Sequence, residues 1–168
     1  MTGEPQIQER AAQHYAGIPV TVTMDGLPQA VDRGFPELFG WLASQGIAIS
    51  GPPFIRYLVI DMAGELQIEL AAPVGAPVTG TDRIRPGTLP AGSYAVLRHT
   101  GPYDGLVASN ATLRRWAQDH GVEFDARDTA SGTAWRGRAE HYLTNPADEP
   151  DPARWQVDVA YLTSGREA

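Results

Sequence analysis

The sequence predicts an α+β fold made of two copies of one strand-helix-strand-strand module, and three observations carry that expectation. "LFGWLASQGI" at 38–47 and "LRRWAQDHGV" at 113–122 align 75 residues apart, matching Leu38 with Leu113, Trp41 with Trp116 and Gly46 with Gly121. "LQIELA" at 66–71 and "WQVDVA" at 155–160 align 89 residues apart, in the same order along the chain. Around each pair the hydrophobic pattern switches between the helical and the strand period in the same succession. The tandem duplication gives module 1 at about 4–80 and module 2 at about 85–163, with 164–168 as a tail. The second copy carries 14 extra residues, the difference between the offsets 89 and 75. A chain of 168 residues holds one well-buried core, so the two modules are expected to form a single domain.

Each element has a local reason. "HYAGIPVTVTM" at 14–24 has the Val, Ile, Thr and Tyr content of a strand. "PQAVDRGFPELFGWLASQG" follows with Val31, Phe35, Leu38, Phe39 and Leu42 at helical spacing, and Gly46 stands where a helix is capped. Pro36 marks a kink in this helix or its true first turn. The strands "PFIRYLVIDM" at 53–62 and "ELQIELAA" at 65–72 are joined at Ala63-Gly64 as a hairpin. The second module repeats the order with strand "SYAVLRHT", helix "DGLVASNATLRRWAQDHG", and strands "AWRGRAEHYL" and "WQVDVAYL". "NPADEPDP" is a long hairpin loop between the last two.

Composition narrows the function. Net charge is −7 and no Lys/Arg cluster is present, so no direct contact with nucleic acid is expected, because that affinity comes from neutralising phosphates. No apolar run approaches the ~20 residues of a membrane span, and "MTGEPQIQERAAQ" lacks the basic start and apolar middle of an export signal; the expectation is a cytoplasmic protein. The chain has no Cys, and its four His, at 14, 99, 120 and 141, have no ligand-like spacing. No P-loop, G-x-G-x-x-G or G-x-S-x-G is present, so no metal and no cofactor is expected.

Strand alternation then sorts the side chains. Leu66, Ile68 and Leu70 share one face of their strand and Glu65, Gln67 and Glu69 the other; Trp155, Val157, Val159 and Tyr161 oppose Gln156, Asp158 and Ala160. On "AWRGRAEHYL" the apolar alternation predicts Trp135, Gly137, Ala139, His141 and Leu143 against the helix, which turns Arg136, Arg138, Glu140 and Tyr142 away from it. The two polar faces either meet in a groove between the modules or are solvated, as one face of an antiparallel sheet often is. A groove is the more informative case, since clefts between repeats are favoured ligand sites. Glu140 then has two readings: a solvent-side residue paired with Arg138, or a partly buried carboxylate among rings, waiting for a cation. Glu69 and Asp158 occupy matched positions, which reflects duplication rather than a joint acid/base role. Trp41 and Trp116 recur at helical positions and are expected in the core or an interface, and His99 and His141 as hydrogen-bonded structural residues.

"GPPFIRYLVID" at 51–61, "IELAAPV" at 68–74, "YAVLRHTGPYDGL" at 94–106 and "EHYLTNP" at 140–146 resemble, in order and spacing, the GyrI-like small-molecule-binding domain, also found as the effector-binding domain of AraC-type and multidrug-responsive regulators. The resemblance runs from about Glu4 to Leu162. It implies two strand-helix-strand-strand modules about a pseudo-two-fold, with a groove for lipophilic, often cationic, molecules between them. It places Glu140 as counter-charge and Tyr142, Tyr57 and Tyr103 as aromatic walls; Trp135 begins the strand that carries Glu140, and Glu69 joins them as a candidate contact. Arg136 and Arg138 flank Glu140 on its nominal face, which leaves open whether they neutralise it. The chain shows no helix-turn-helix segment, so the expectation is a stand-alone binding protein that sequesters a compound or relays its presence. Two alternatives come with the resemblance. One is a hydrolase opening strained cyclopropane rings in natural products, with Glu140 as general base. The other is a gyrase-modulating interaction protein, for which the acidic surface would imitate DNA.

Overall fold

The computed structural model describes residues 3–61 and 63–167. Met62, in the strand expected at 53–62, lies outside the described residues, as do Met1, Thr2 and Ala168. Eleven strands and two helices follow in the order β1 (Gln6–Arg10), β2 (Gln13–Val22), α1 (Leu27–Ser44), β3 (Phe54–Ile60), β4 (Leu66–Pro73), β5 (Arg85–Leu89), β6 (Gly92–Thr100), α2 (Leu106–Asp119), β7 (Val122–Phe124), β8 (Ala126–Thr129), β9 (Gly132–Trp135), β10 (Arg138–Tyr142) and β11 (Gln156–Glu167). The expected order of strand, helix, strand, strand stands as β2-α1-β3-β4; in the second half β6-α2 is followed by β7, β8 and β9 before β10-β11.

All pairings are antiparallel and build one sheet with the spatial order β1-β6-β11-β10-β3-β4-β2-β5. The halves β6-β11-β10 and β3-β4-β2 mirror each other in this order and meet where β10 pairs with β3. The edges must also approach each other. β1 and β5 lie at opposite ends of the sheet, yet β1 passes to β2 through Ala11-Ala12, and β5 to β6 through Pro90-Ala91. Such a link spans no more than about 11 Å. The sheet therefore curls on itself and has an inner face as well as the face that carries the helices.

Each helix seals its own half. Leu38 and Leu42 of α1 are buried against Ala16, Ile18 and Ala72; Leu106 and Leu113 of α2 are buried against Ala95, Leu97, Val157 and Val159. Each such leucine contributes roughly 1.5–3 kcal/mol by leaving water. Trp41 and Trp116 pack, half-buried, beside these clusters. Gly46 and Gly121 both take the left-handed backbone (φ 68° and 66°) that ends a helix, as expected of Gly46. α1 runs through Pro36 without a break, while Pro28 supplies its first turn.

β11 continues to Glu167, where it pairs with β7. Two expectations are corrected. The strand at 134–143 is two strands, β9 and β10, separated at Arg136-Gly137; β9 belongs to the β8-β9 hairpin, which lies with β7 between α2 and β10. The second concerns which way β10 faces. Arg138, Glu140 and Tyr142 point to the helix side, and Ala139 packs on the inner face with Tyr15, Phe54 and Ala71. A curled sheet buries both faces, so the apolar alternation of this strand does not mark the side the helix covers.

Candidate functional site

A groove of about 1550 Å³ lies on the helix side of the sheet, between α1 and α2. Its floor is the seam of β3 and β10. One wall is the partly buried edge of the apolar face of α1, Leu27, Val31, Phe35 and Phe39, which pack on the core beneath; Phe35 and Phe39 stack with centroids 5.6 Å apart. The other wall is Tyr103 and the start of α2. The turn "HTGPYDGL" builds that wall. His99 Nε2 donates to the Pro102 carbonyl at 2.9 Å, which leaves Nδ1 to accept from the Ser109 hydroxyl of α2 at 2.7 Å. A Cβ at Gly105 would stand 2.8 Å from the His99 ring, so the ring seats only against a glycine. This clamp projects Tyr103 edge-on to Tyr142 at 5.5 Å and tilted on Trp155 at 4.8 Å.

Glu140 sits on the floor, 7% exposed. Its Oε1 accepts from the hydroxyls of Tyr57 (2.8 Å) and Tyr142 (3.1 Å), and its Oε2 from Asn110 Nδ2 (3.0 Å). Burial, and after it the neighbouring Glu140, hold the Tyr57 and Tyr142 hydroxyls well above the ordinary tyrosine range, so both remain donors at neutral pH. Asn110 also donates to the Leu106 carbonyl at 2.8 Å, and its Oδ1 accepts from Tyr161 OH and, at 3.3 Å, from Arg138 Nη2. Arg114 Nη1 donates to Tyr161 OH at 3.2 Å. One hydrogen-bonded chain thus runs Arg114, Tyr161, Asn110, Glu140. Arg138 lies over the rings of Tyr161 (4.3 Å), Trp135 (4.6 Å) and Tyr57 (5.7 Å).

Of the residues expected at the site, Glu140, Tyr142, Tyr57, Trp135 and Tyr103 come together here. Glu69 does not line the groove: it lies on the inner face and accepts from Tyr15 OH at 2.6 Å. Neither arginine that flanks Glu140 in sequence pairs with it directly. Arg136 points elsewhere and pairs with Asp125 at 3.1 Å, and Arg138 makes no ion pair with Glu140. His141 is not hydrogen-bonded through Nε2; it tilts against Phe54 at 5.0 Å on the inner face. Asn110, Arg138, Tyr161 and the α1 wall were not expected as site residues. Asn110 had a signal, since an asparagine in mid-helix is a poor helix former and needs a reason to be there. Among the described residues no cluster of His, Asp and Glu could hold a metal ion, and no helix is long and apolar enough to cross a membrane.

Solved structures share this architecture. The C-terminal domain of EcmrR superposes with a TM-score of 0.74 at 16% identity, covering 96% of this chain and 97% of that one. EcmrR in its complex with DNA gives 0.74 at 16%, covering 95% of this chain and 57% of that one, so the chain corresponds to little more than half of that protein. A hydrolase from Listeria innocua gives 0.63 at 16% (96% and 92% covered), and SAV2435 bound to tetraphenylphosphonium 0.60 at 12% (97% and 95% covered). At these identities the likeness is one of fold. No curated protein matches the chain in sequence. Residues 3–160, nearly the whole chain, match the GyrI-like small molecule binding domain, and the chain belongs to that family.

Proposed function

We propose that the groove binds a lipophilic organic cation, with Glu140 as counter-charge and Tyr57, Tyr142, Tyr103 and Trp135 as walls, and that the protein acts by sequestering the compound or by sensing it. The observation that carries this is a buried carboxylate held by three neutral donors, on the floor of an apolar groove. Such a charge has no cation in direct contact, and an apolar cation brings one while covering the rings. The lining as a whole leans the same way, with Asp32, Asp61, Asp104, Asp128 and Glu140 against Arg114 and Arg138. Tetraphenylphosphonium on the shared fold of SAV2435 supports the reading and supplies the probe.

Titration calorimetry with tetraphenylphosphonium tests it. Glu140→Gln keeps the hydrogen-bonding shape and removes the charge, and should weaken binding about ten- to hundredfold. Unchanged affinity would end the counter-charge role. A second reading, hydrolysis of a strained electrophile with Glu140 as general base, is favoured by the fixed orientation that Tyr57, Tyr142 and Asn110 impose on the carboxylate. Mass spectrometry of such a substrate decides between them, since stoichiometric binding without product excludes turnover on it.

A further inference from the structure

One end of the groove already holds a cation of the protein's own. The Arg138 guanidinium lies over the rings of Tyr161 and Trp135, which themselves meet edge-on with centroids 5.1 Å apart. Among the described residues it makes a single hydrogen bond, the long one to Asn110, and its Nε is buried without a partner. The indole Nε1 of Trp135 beside it is also buried and unpartnered. Arg114 adds a second guanidinium at this end, through Tyr161. Neither arginine has a carboxylate at ion-pair distance among the described residues. Burial pulls the Arg138 pKa below the ordinary arginine value, with Arg114 adding to it, and the opposing pull of Tyr161, Tyr57 and Glu140 does not restore it.

Aromatic faces stabilise such a cation but offer no lone pairs to its N–H groups. Buried arginines are normally paired, and Glu140, two residues along the same strand face and so roughly 6–7 Å away, has both oxygens engaged by other donors. The missing element is an oxygen acceptor. We propose that the Arg138–Trp135 end of the groove is an acceptor subsite, and that the ligand is an amphipathic molecule carrying a carboxylate or carbonyl oxygen at this end and its cationic centre at Glu140. The proposal rests on the preceding reading for the cationic pole and adds a second pole to it. Specificity then comes from a difference, because a cation without an acceptor leaves the Arg138 end unsatisfied.

Three matched probes test this below their micelle concentrations: decyltrimethylammonium, the zwitterion decyldimethylammonio-butanoate, and the methyl ester of that zwitterion. The zwitterion should bind about tenfold more tightly than decyltrimethylammonium. Arg138→Gln should erase that advantage and leave decyltrimethylammonium within about threefold of its original affinity. An ester as good as the zwitterion identifies a carbonyl as the recognised acceptor, and an ester as poor as decyltrimethylammonium identifies the carboxylate; either result supports the subsite. A zwitterion bound no better than decyltrimethylammonium overturns it, as does equal weakening of all three probes by Arg138→Gln. Should Arg138→Gln lack a cooperative melt, the wild-type probe comparison and Arg114→Gln decide. Glu140→Gln separates the two readings: indifference of all three probes to it sinks the cationic pole, while the zwitterion's advantage still reads Arg138.

Discussion

The two faces of the curled sheet handle charge in opposite ways. On the inner face, Asp158 accepts from Arg98 Nε at 2.8 Å and Nη2 at 3.1 Å, with Arg10 at 3.8 Å. Glu69 there accepts from Tyr15 OH, which itself accepts from Arg56 Nη1 at 2.8 Å. Arg56 also donates to the carbonyls of Thr88 and Arg136. On the groove face the acid is held by neutral donors and Arg138 by rings. The same strands supply both sets, since β10 carries His141 inward and Glu140 outward, and β11 carries Asp158 inward and Tyr161 outward. The inner face joins its acids and arginines to one another, and the groove face keeps an acid and a guanidinium that no direct ion pair joins.

The sharpest way to break that contrast is His141, an ionisable group of the inner face with an unpartnered nitrogen. Burial, with Arg10 adding to it, lowers its pKa to about 4 from an unfolded value near 6.5. Between those values the unfolded chain binds more protons than the folded one. His141 therefore contributes stability above pH 6.5 that falls away as the pH drops towards 4, at most about 3 kcal/mol. Thermal melts from pH 7 to 4 should show this loss, and His141→Phe should flatten it; a variant melting in parallel with the wild type would mean that other groups carry the effect. Next in size is Asp158→Asn, which strips the charge from a pair whose Arg98 is half-exposed. It should cost about 1–3 kcal/mol of stability and leave tetraphenylphosphonium affinity unchanged, the reverse of Glu140→Gln. Denaturant melts and calorimetry on both variants would show whether the faces separate in this manner. The smallest effect belongs to Arg136→Ala. Its pair with Asp125 is solvent-exposed and its guanidinium lies away from Glu140, so stability should move by roughly 0–1 kcal/mol and binding not at all. A gain in cation affinity would show that Arg136 does oppose Glu140.

The helical and strand periods, the glycine at the end of α1 and the succession of elements were readable from local chemistry. Leu38, Leu113, Leu66, Ile68 and Leu70 lie where alternation and helical spacing put them. The orientation of β10 was not readable, and the reason is topological. Ala139 and His141 resemble a helix-facing row, but the inner face needs small and flat groups where Tyr15 and Phe54 fill the curl. The closure that creates this second interior depends on β1, β5 and their two-residue links, which show weak strand patterns of their own. Glu140, Tyr142, Tyr57 and Tyr103 were named through the resemblance to the family, whereas Arg138 and Asn110 acquire their meaning from groups far away in sequence. Glu69 illustrates the opposite hazard, a carboxylate at a matched position that the fold uses to anchor Tyr15.

The seam between the halves is the shortest ladder along the strand order from β1 to β5, running from Arg56–Ala139 to Phe54–His141, with β9 extending it at Val59 and Ile60. Glu140 stands on this line and Tyr57 beside it, while α1 and α2 rise from opposite sides. The two helices are thus covers on a common spine, tied at the back by Ala11-Ala12 and Pro90-Ala91. The width of the groove is therefore set by how the two halves of one sheet meet at β3 and β10, and not by the packing of either helix on its own half.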